Sequence, residues 1–128
     1  MGLVKFDDDS FEDDLIDNFR FFLMLVNEPM FSLDELKQGL VNFELNSRLW
    51  HEESEFFDFD LANDLVNKSK ILLHSLSQYS SNVQKEILAA ILYLVQEDDS
   101  KKDSLFMGLE DDKEIFRYVL SKNGIEIK

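Results

Sequence analysis

The stretch SNVQKEILAAILYLV, Ser81 to Val95, decides the fold. Val83, Ile87, Ile91, Leu94 and Val95 recur at the three- and four-residue spacing that lines up apolar side chains along one face of an α-helix. Ser81 with Gln84 has the form of a capping box, which supplies two of the partners a helix start lacks. Upstream, Leu61, Leu65, Leu72 and Leu76 mark another helix, broken by Tyr79, Ser80 and Ser81 and preceded by a loop from His51 to Asp60. Ser32 with Glu35 opens a further helix through Leu36, Leu40 and Phe43 towards Trp50. Its far end is unfixed, because Gly39 and the Asn42 to Ser47 stretch are weak helix formers. The first helix is capped by Ser10, carries Glu12, Asp13 and Asp14 at the positive end of its dipole, repeats apolar residues at Leu15, Phe19, Phe22 and Val26, and closes at Pro29.

Downstream of Val95 the periodicity stops between Glu97 and Glu110. Asp111 with Glu114 then offers a last cap before Ile115, Phe116, Val119 and Leu120, and Asn123-Gly124 is a helix stop. Only the tail Ile125 to Ile127 has any strand character. The expectation is an all-α protein, a single compact bundle of about five helices forming one domain over residues 1–128, with residues 1–9 as a disordered tip.

The chain has 128 residues, 45% of them apolar, which suffices for one buried core. It has no cysteine, so disulfides, thiol nucleophiles and thiolate metal sites are excluded. It shows neither a long uncharged apolar run nor a signal-peptide pattern, which leads to the expectation of a cytoplasmic protein. The net charge is −14, and its placement is uneven: residues 1–64 carry −13 and residues 65–128 carry −1. Ten of the twelve phenylalanines lie in the same acidic half. A sequence pI near 4.3 argues against direct binding of nucleic acid, whose affinity for proteins comes largely from Lys and Arg on phosphates, and against anionic membranes. Solubility, calcium affinity, attraction to a basic protein and imitation of nucleic acid are the positive readings of such acidity.

The segment Glu52, Glu53, Ser54, Glu55, Phe56, Phe57, Asp58, Phe59 and Asp60 interleaves five acids of one loop with three phenylalanines. It has two readings. Aromatic anchors inside an acidic ring suit an interface with a basic cleft. Alternatively the phenylalanines fold back as a hydrophobic staple at a helix start, with Asp58 or Asp60 as the cap. A similar choice exists in the first helix, where every residue from Phe19 to Val26 except Arg20 is apolar. A central helix packed on several sides is expected, the other reading being a partner surface at Phe21, Met24 and Leu25.

No catalytic signature is present. Asp99 to Glu110 has the length of a calcium loop, but Lys101 stands at its third position and Ser104 at its sixth, where glycine is required. His51 and His74 lack zinc-binding spacing, the serines lack a Gly-x-Ser-x-Gly elbow, and four glycines form no phosphate loop. We therefore expect no enzyme, no cofactor and no metal centre.

The string Ala89 to Val95, then Glu97, Asp98, Asp99 and Asp103, then Gly108-Leu109-Glu110-Asp111-Asp112 before an apolar helix, resembles the YkvA-like family of small bacterial helical proteins. The resemblance covers about residues 87–120 and departs from the family in lacking the proline and apolar residues inside the loop. It implies a helical fold and marks Asp98, Asp99, Asp103, Asp111 and Asp112 as positions of a structural or ionic role.

Charge placement leads to the functional expectation. The chain reads as an acidic protein-binding module, an immunity or inhibitor protein that neutralises a basic nuclease toxin by occupying its cleft. Glu52, Glu53, Glu55, Phe56, Phe57, Asp58, Phe59 and Asp60 are its expected contact residues. The alternatives are a YkvA-like cellular protein of structural or cation-binding role, and a nucleic-acid mimic that blocks a DNA-binding protein.

Overall fold

A computed structural model describes residues 9–53, 55, 57–96 and 108–127. Five α-helices follow one another: α1 (Asp9–Asn27), α2 (Leu33–Glu53), α3 (Phe59–His74), α4 (Ser81–Val95) and α5 (Gly108–Lys122), with a single 3₁₀ turn at Leu76–Gln78 between α3 and α4. The described residues contain no strand, and the expected all-α bundle of five helices is what the chain forms. The tail residues Ile125 and Ile127 pack against the core as irregular chain.

α4 is the axis. Its Ile87, Ala89, Ala90, Ile91 and Leu94 are buried, as are Leu88 and Val95, so the helix is covered on nearly every side. Helices that are apolar all round belong in the middle of a bundle. α2, α3, α5 and α4 pack in a ring, each against two neighbours, and α1 lies against the outer side of α4 and touches α5. The central position expected for α1 therefore falls to α4. α1 buries Phe19 and Val26, half-buries Leu15, Phe22 and Leu23, and leaves Phe21 and Met24 exposed.

The caps follow local chemistry, with shifts of register. Ser32 starts α2 as expected, its Oγ accepting from the Glu35 N–H at 3.2 Å. At α4 the cap is Ser80 rather than Ser81: its backbone is extended and its Oγ accepts from the Val83 N–H at 3.4 Å. Gln84 then reaches back past the cap, donating to the Tyr79 carbonyl at 2.9 Å. α1 begins at Asp9, which puts Ser10 inside its first turn, and α5 begins at Gly108, three residues ahead of the expected Asp111 cap.

α2 runs unbroken through Gly39 and Asn42 to Ser47. Buried Leu36, Leu40 and Phe43 decide this, each contributing about 1.5–3 kcal/mol on burial against deficits of at most about 1 kcal/mol for each weak helix former. Ser47 is buried too, and its hydroxyl donates to the Phe43 carbonyl at 2.8 Å. Gly39 suits a close crossing of α2 over α4, since a Cβ there would stand 3.3 Å from the Val95 Cγ2.

α5 ends as its sequence indicates. Gly124 takes a φ of 66°, the Ile125 N–H donates to the Leu120 carbonyl at 2.9 Å and the Gly124 N–H to the Ser121 carbonyl at 3.3 Å. These two bonds form a Schellman motif, with partly buried Ile125 and Leu120 at its hydrophobic contact positions.

Candidate protein-binding site

The corner between α2 and α3 holds the residues singled out from the sequence. Because α2 continues to Glu53, Glu52 and Glu53 lie on its last helical turn, both exposed, and the connection shrinks to residues 54–58. Three aromatic rings pin this connection from beneath. Half-buried Trp50 stands edge-on to Phe43 at 5.8 Å and edge-on to Phe57 at 5.6 Å. Phe57 is only 4% exposed. It occupies the position just before the cap of α3, where a hydrophobic staple places its apolar residue.

Phe57 is thus a core residue, which corrects its reading as a surface anchor. Asp58 is the cap: its Oδ1 accepts from the Leu61 N–H at 3.0 Å while its carbonyl accepts from the Ala62 N–H at 3.0 Å. Phe59 is half-buried and stacks on the exposed His51 ring at 4.6 Å and 19°. Phe56 lies outside the described residues. Glu55 and Asp60 are exposed, so the corner presents Glu52, Glu53, Glu55 and Asp60 outward around the His51–Phe59 stack.

Among the described residues, the corner gathers charges without counter-ions: Glu52, Glu53, Glu55 and Asp60 have no ion-pair partner. Exposed Glu28, Asp34, Glu35, Glu110 and Glu126 likewise lack an ion pair among the described residues, whereas several other carboxylates are matched locally. Glu44 meets Lys70 at 3.0 Å and Arg48 at 3.8 Å, Asp64 meets Lys68 at 3.0 Å, and Glu86 meets Lys122 at 2.6 Å. The Glu86 carboxylate also accepts from the Asn123 amide at 2.8 Å. Its hydrogen bond to Lys122 is the chief cause of a raised ammonium pKa there. Unmatched like charges held together produce a field that reaches about a Debye length, ~8 Å at physiological salt.

A second feature, an apolar ridge, adjoins the corner. Val41, Leu45 and Leu49 of α2 are exposed by 48%, 53% and 55%. Their i, i+4, i+8 spacing makes a straight ridge on the side opposite buried Leu36, Leu40, Phe43 and Ser47, and it runs directly into Glu52 and Glu53. The signal was the second apolar period within α2. It is obscured where Gly39 and Asn42 weaken the helical reading.

Of the positions marked by the YkvA-like resemblance, Asp98, Asp99 and Asp103 lie outside the described residues. Asp111 falls in the first turn of α5, where backbone N–H groups and the helix dipole favour a carboxylate, and Asp112 follows it. Asp112 is 0% exposed and Asp111 is half-buried. Among the described residues no group of three or more His, Asp or Glu is placed to hold a metal ion. No helix of the described chain is long and apolar enough to cross a membrane.

Compared with family models, with curated proteins and with solved structures, the chain matches none significantly.

Proposed function

We propose that this protein is an acidic protein-binding module, an immunity or inhibitor protein that neutralises a basic nuclease toxin by occupying its cleft. The observation that supports this reading is the α2–α3 corner, where unmatched carboxylates stand on a rigid aromatic footing. Rigidity matters because a preformed surface loses little conformational freedom on binding. Nuclease clefts are positive in order to hold phosphates, so a preformed acidic projection is steered into them and competes with their substrate. Asp58 acts by holding the corner through its cap, and Phe57 by anchoring it from within.

The test is capture from a lysate of the source organism at low and moderate salt, followed by a nuclease assay on what is captured. A basic nuclease that this chain inhibits, and that escapes a Glu52→Gln, Glu53→Gln, Glu55→Gln variant, supports the reading. Capture of nothing salt-sensitive, or of a protein without nuclease activity, sinks it. If duplex DNA competes and the captured protein binds DNA without cutting it, the nucleic-acid mimic takes its place. Such a mimic needs carboxylates along an extended face to match about one phosphate per 1.7 Å of duplex axis.

The burial of Asp112 favours a second reading. A fully buried carboxylate in the Gly-x-x-Asp-Asp turn suits a YkvA-like cellular protein in which that turn is structural or cation-linked. A rise in melting temperature with calcium or magnesium, abolished by Asp112→Asn, identifies that case.

A further inference from the structure

We propose that the Val41–Leu45–Leu49 ridge of α2 is the seat of a basic amphipathic helix belonging to the protein partner. The inference rests on the protein-binding reading above and specifies how such a partner is held. At 1.5 Å per residue the apolar ridge is about 12 Å long, and Asp34 and Glu52, on the same side of α2, bracket it over about 27 Å. Asp34, Glu35, Glu52 and Glu53 are all exposed. A straight i, i+4, i+8 row is the ridge that packs into the matching groove between side chains of another helix.

Charge selects the occupant. A second copy of this chain, paired antiparallel about Leu45, brings Glu52 of one molecule opposite neutral Gln38 of the other and Glu53 opposite Lys37, so Glu52 meets no cation. Each copy also carries a net charge of −14. A helix with Lys or Arg at its two ends meets those carboxylates instead. The two edges of the ridge differ: Glu35, Asn42 and Glu53 lie along one, and Lys37 and Arg48 along the other, where Arg48 is already drawn to Glu44 at 3.8 Å. The basic side of the partner helix therefore lies over the Glu35–Glu53 edge, which also points it towards the acidic corner.

The experiment uses the full chain and an 18-residue helical peptide with Leu at three positions spaced i, i+4, i+8 and Lys flanking them, compared with the same peptide carrying Glu in place of Lys. Binding is followed by fluorescence anisotropy at low and moderate salt, with the chain's oligomeric state measured by sedimentation. The Lys peptide is expected to bind a monomeric chain, to weaken with salt, and to lose about thirtyfold or more in affinity to Leu45→Gln, Leu49→Gln, the loss typical of a buried interface anchor. Both residues are exposed, so circular dichroism and melting should match the parent. Equal binding of the Glu peptide, undiminished binding to the double variant, no binding at all, or a dimer dissolved by that variant each overturns the proposal. Lysate capture separates it from the reading beneath: a partner lost with the Glu52, Glu53, Glu55 variant but kept by Leu45→Gln, Leu49→Gln overturns the ridge alone, whereas a partner lost with neither overturns both.

Discussion

Replacing Phe57 with alanine discriminates between a core residue and a surface anchor. The ring is 4% exposed and stands edge-on to Trp50 at 5.6 Å, and Phe43 is also edge-on to that indole at 5.8 Å. Truncating a buried phenylalanine costs about 3–5 kcal/mol, and a site close to a surface connection collapses more readily than one at the centre, so we take about 3 kcal/mol. For 128 residues the unfolding entropy is about 0.27 kcal/mol per kelvin, which converts the loss to a fall in melting temperature of about 11 °C. Trp50, the only tryptophan, gives a second readout, since its emission should shift to the red as its neighbour disappears. Thermal melts followed by circular dichroism and by tryptophan fluorescence measure both. A drop below about 2 °C, the scale of an ordinary surface substitution, refutes the assignment of Phe57 to the core, all the more so if partner binding were lost at the same time. The comparison also cautions against replacing Phe56, Phe57 and Phe59 together as a binding control, because the triple change removes the footing of the corner along with any contact.

Three further outcomes follow from single sites. Gly124→Ala places a Cβ at a φ of 66° with nothing within 4 Å, so only the backbone cost of about 1–2 kcal/mol applies, and urea denaturation should show that loss without a change in slope. Asp112→Ala removes a fully buried carboxylate that has interaction partners, and should cost about 2 kcal/mol or more by the same assay, more than a change at exposed Asp60. The hydrogen bond from Lys122 to Glu86 raises the lysine pKa above its ordinary 10.5. Its stabilisation is therefore complete below pH 10.5 and disappears as pH rises through the raised folded-state value. Lys122 is half exposed and the pair is screened, so the contribution is below about 1 kcal/mol; Lys122→Gln should melt lower at pH 8 and converge with the parent under strongly alkaline conditions.

The helices were legible wherever an apolar period and a capping residue coincided, as at Ser32 and across Val83 to Val95. The shifts have specific causes. Ser80 and Ser81 are chemically equivalent caps, and only the extended backbone at Ser80 chooses between them. α2 was harder to follow because propensity counts Gly39 and Asn42 as losses but leaves out what Leu40, Phe43 and Ser47 gain when buried. The central helix was misplaced for a related reason. A run of phenylalanine and leucine in α1 looks more apolar than α4, yet Ala89 and Ala90 let neighbours approach α4 closely, and small residues do not register as a stripe. At the candidate site the acidity was visible, but the direction of Phe57 was not: alternating acids and phenylalanines suit either side of a corner until Trp50 supplies the pocket.

The acidic corner and the apolar ridge adjoin on the side of α2 that faces away from the bundle. Exposed carboxylates gathered at Glu52, Glu53, Glu55 and Asp60 repel one another, a cost that a loosely held connection relieves by spreading. Here Asp58 and Phe57 prevent that relief, the first by tying the connection to the start of α3 and the second by burying it against Trp50. The repulsion is thus retained in the free protein, and on the proposed reading a cation-bearing partner relieves it. Leu36, Leu40 and Phe43, on the opposite side of α2, fix that helix to the bundle, which leaves Val41, Leu45 and Leu49 free to face a partner. The core side of α2 thereby fixes the geometry of both the Glu52–Glu53 charge and the apolar ridge, the preorganisation that the proposed recognition calls for.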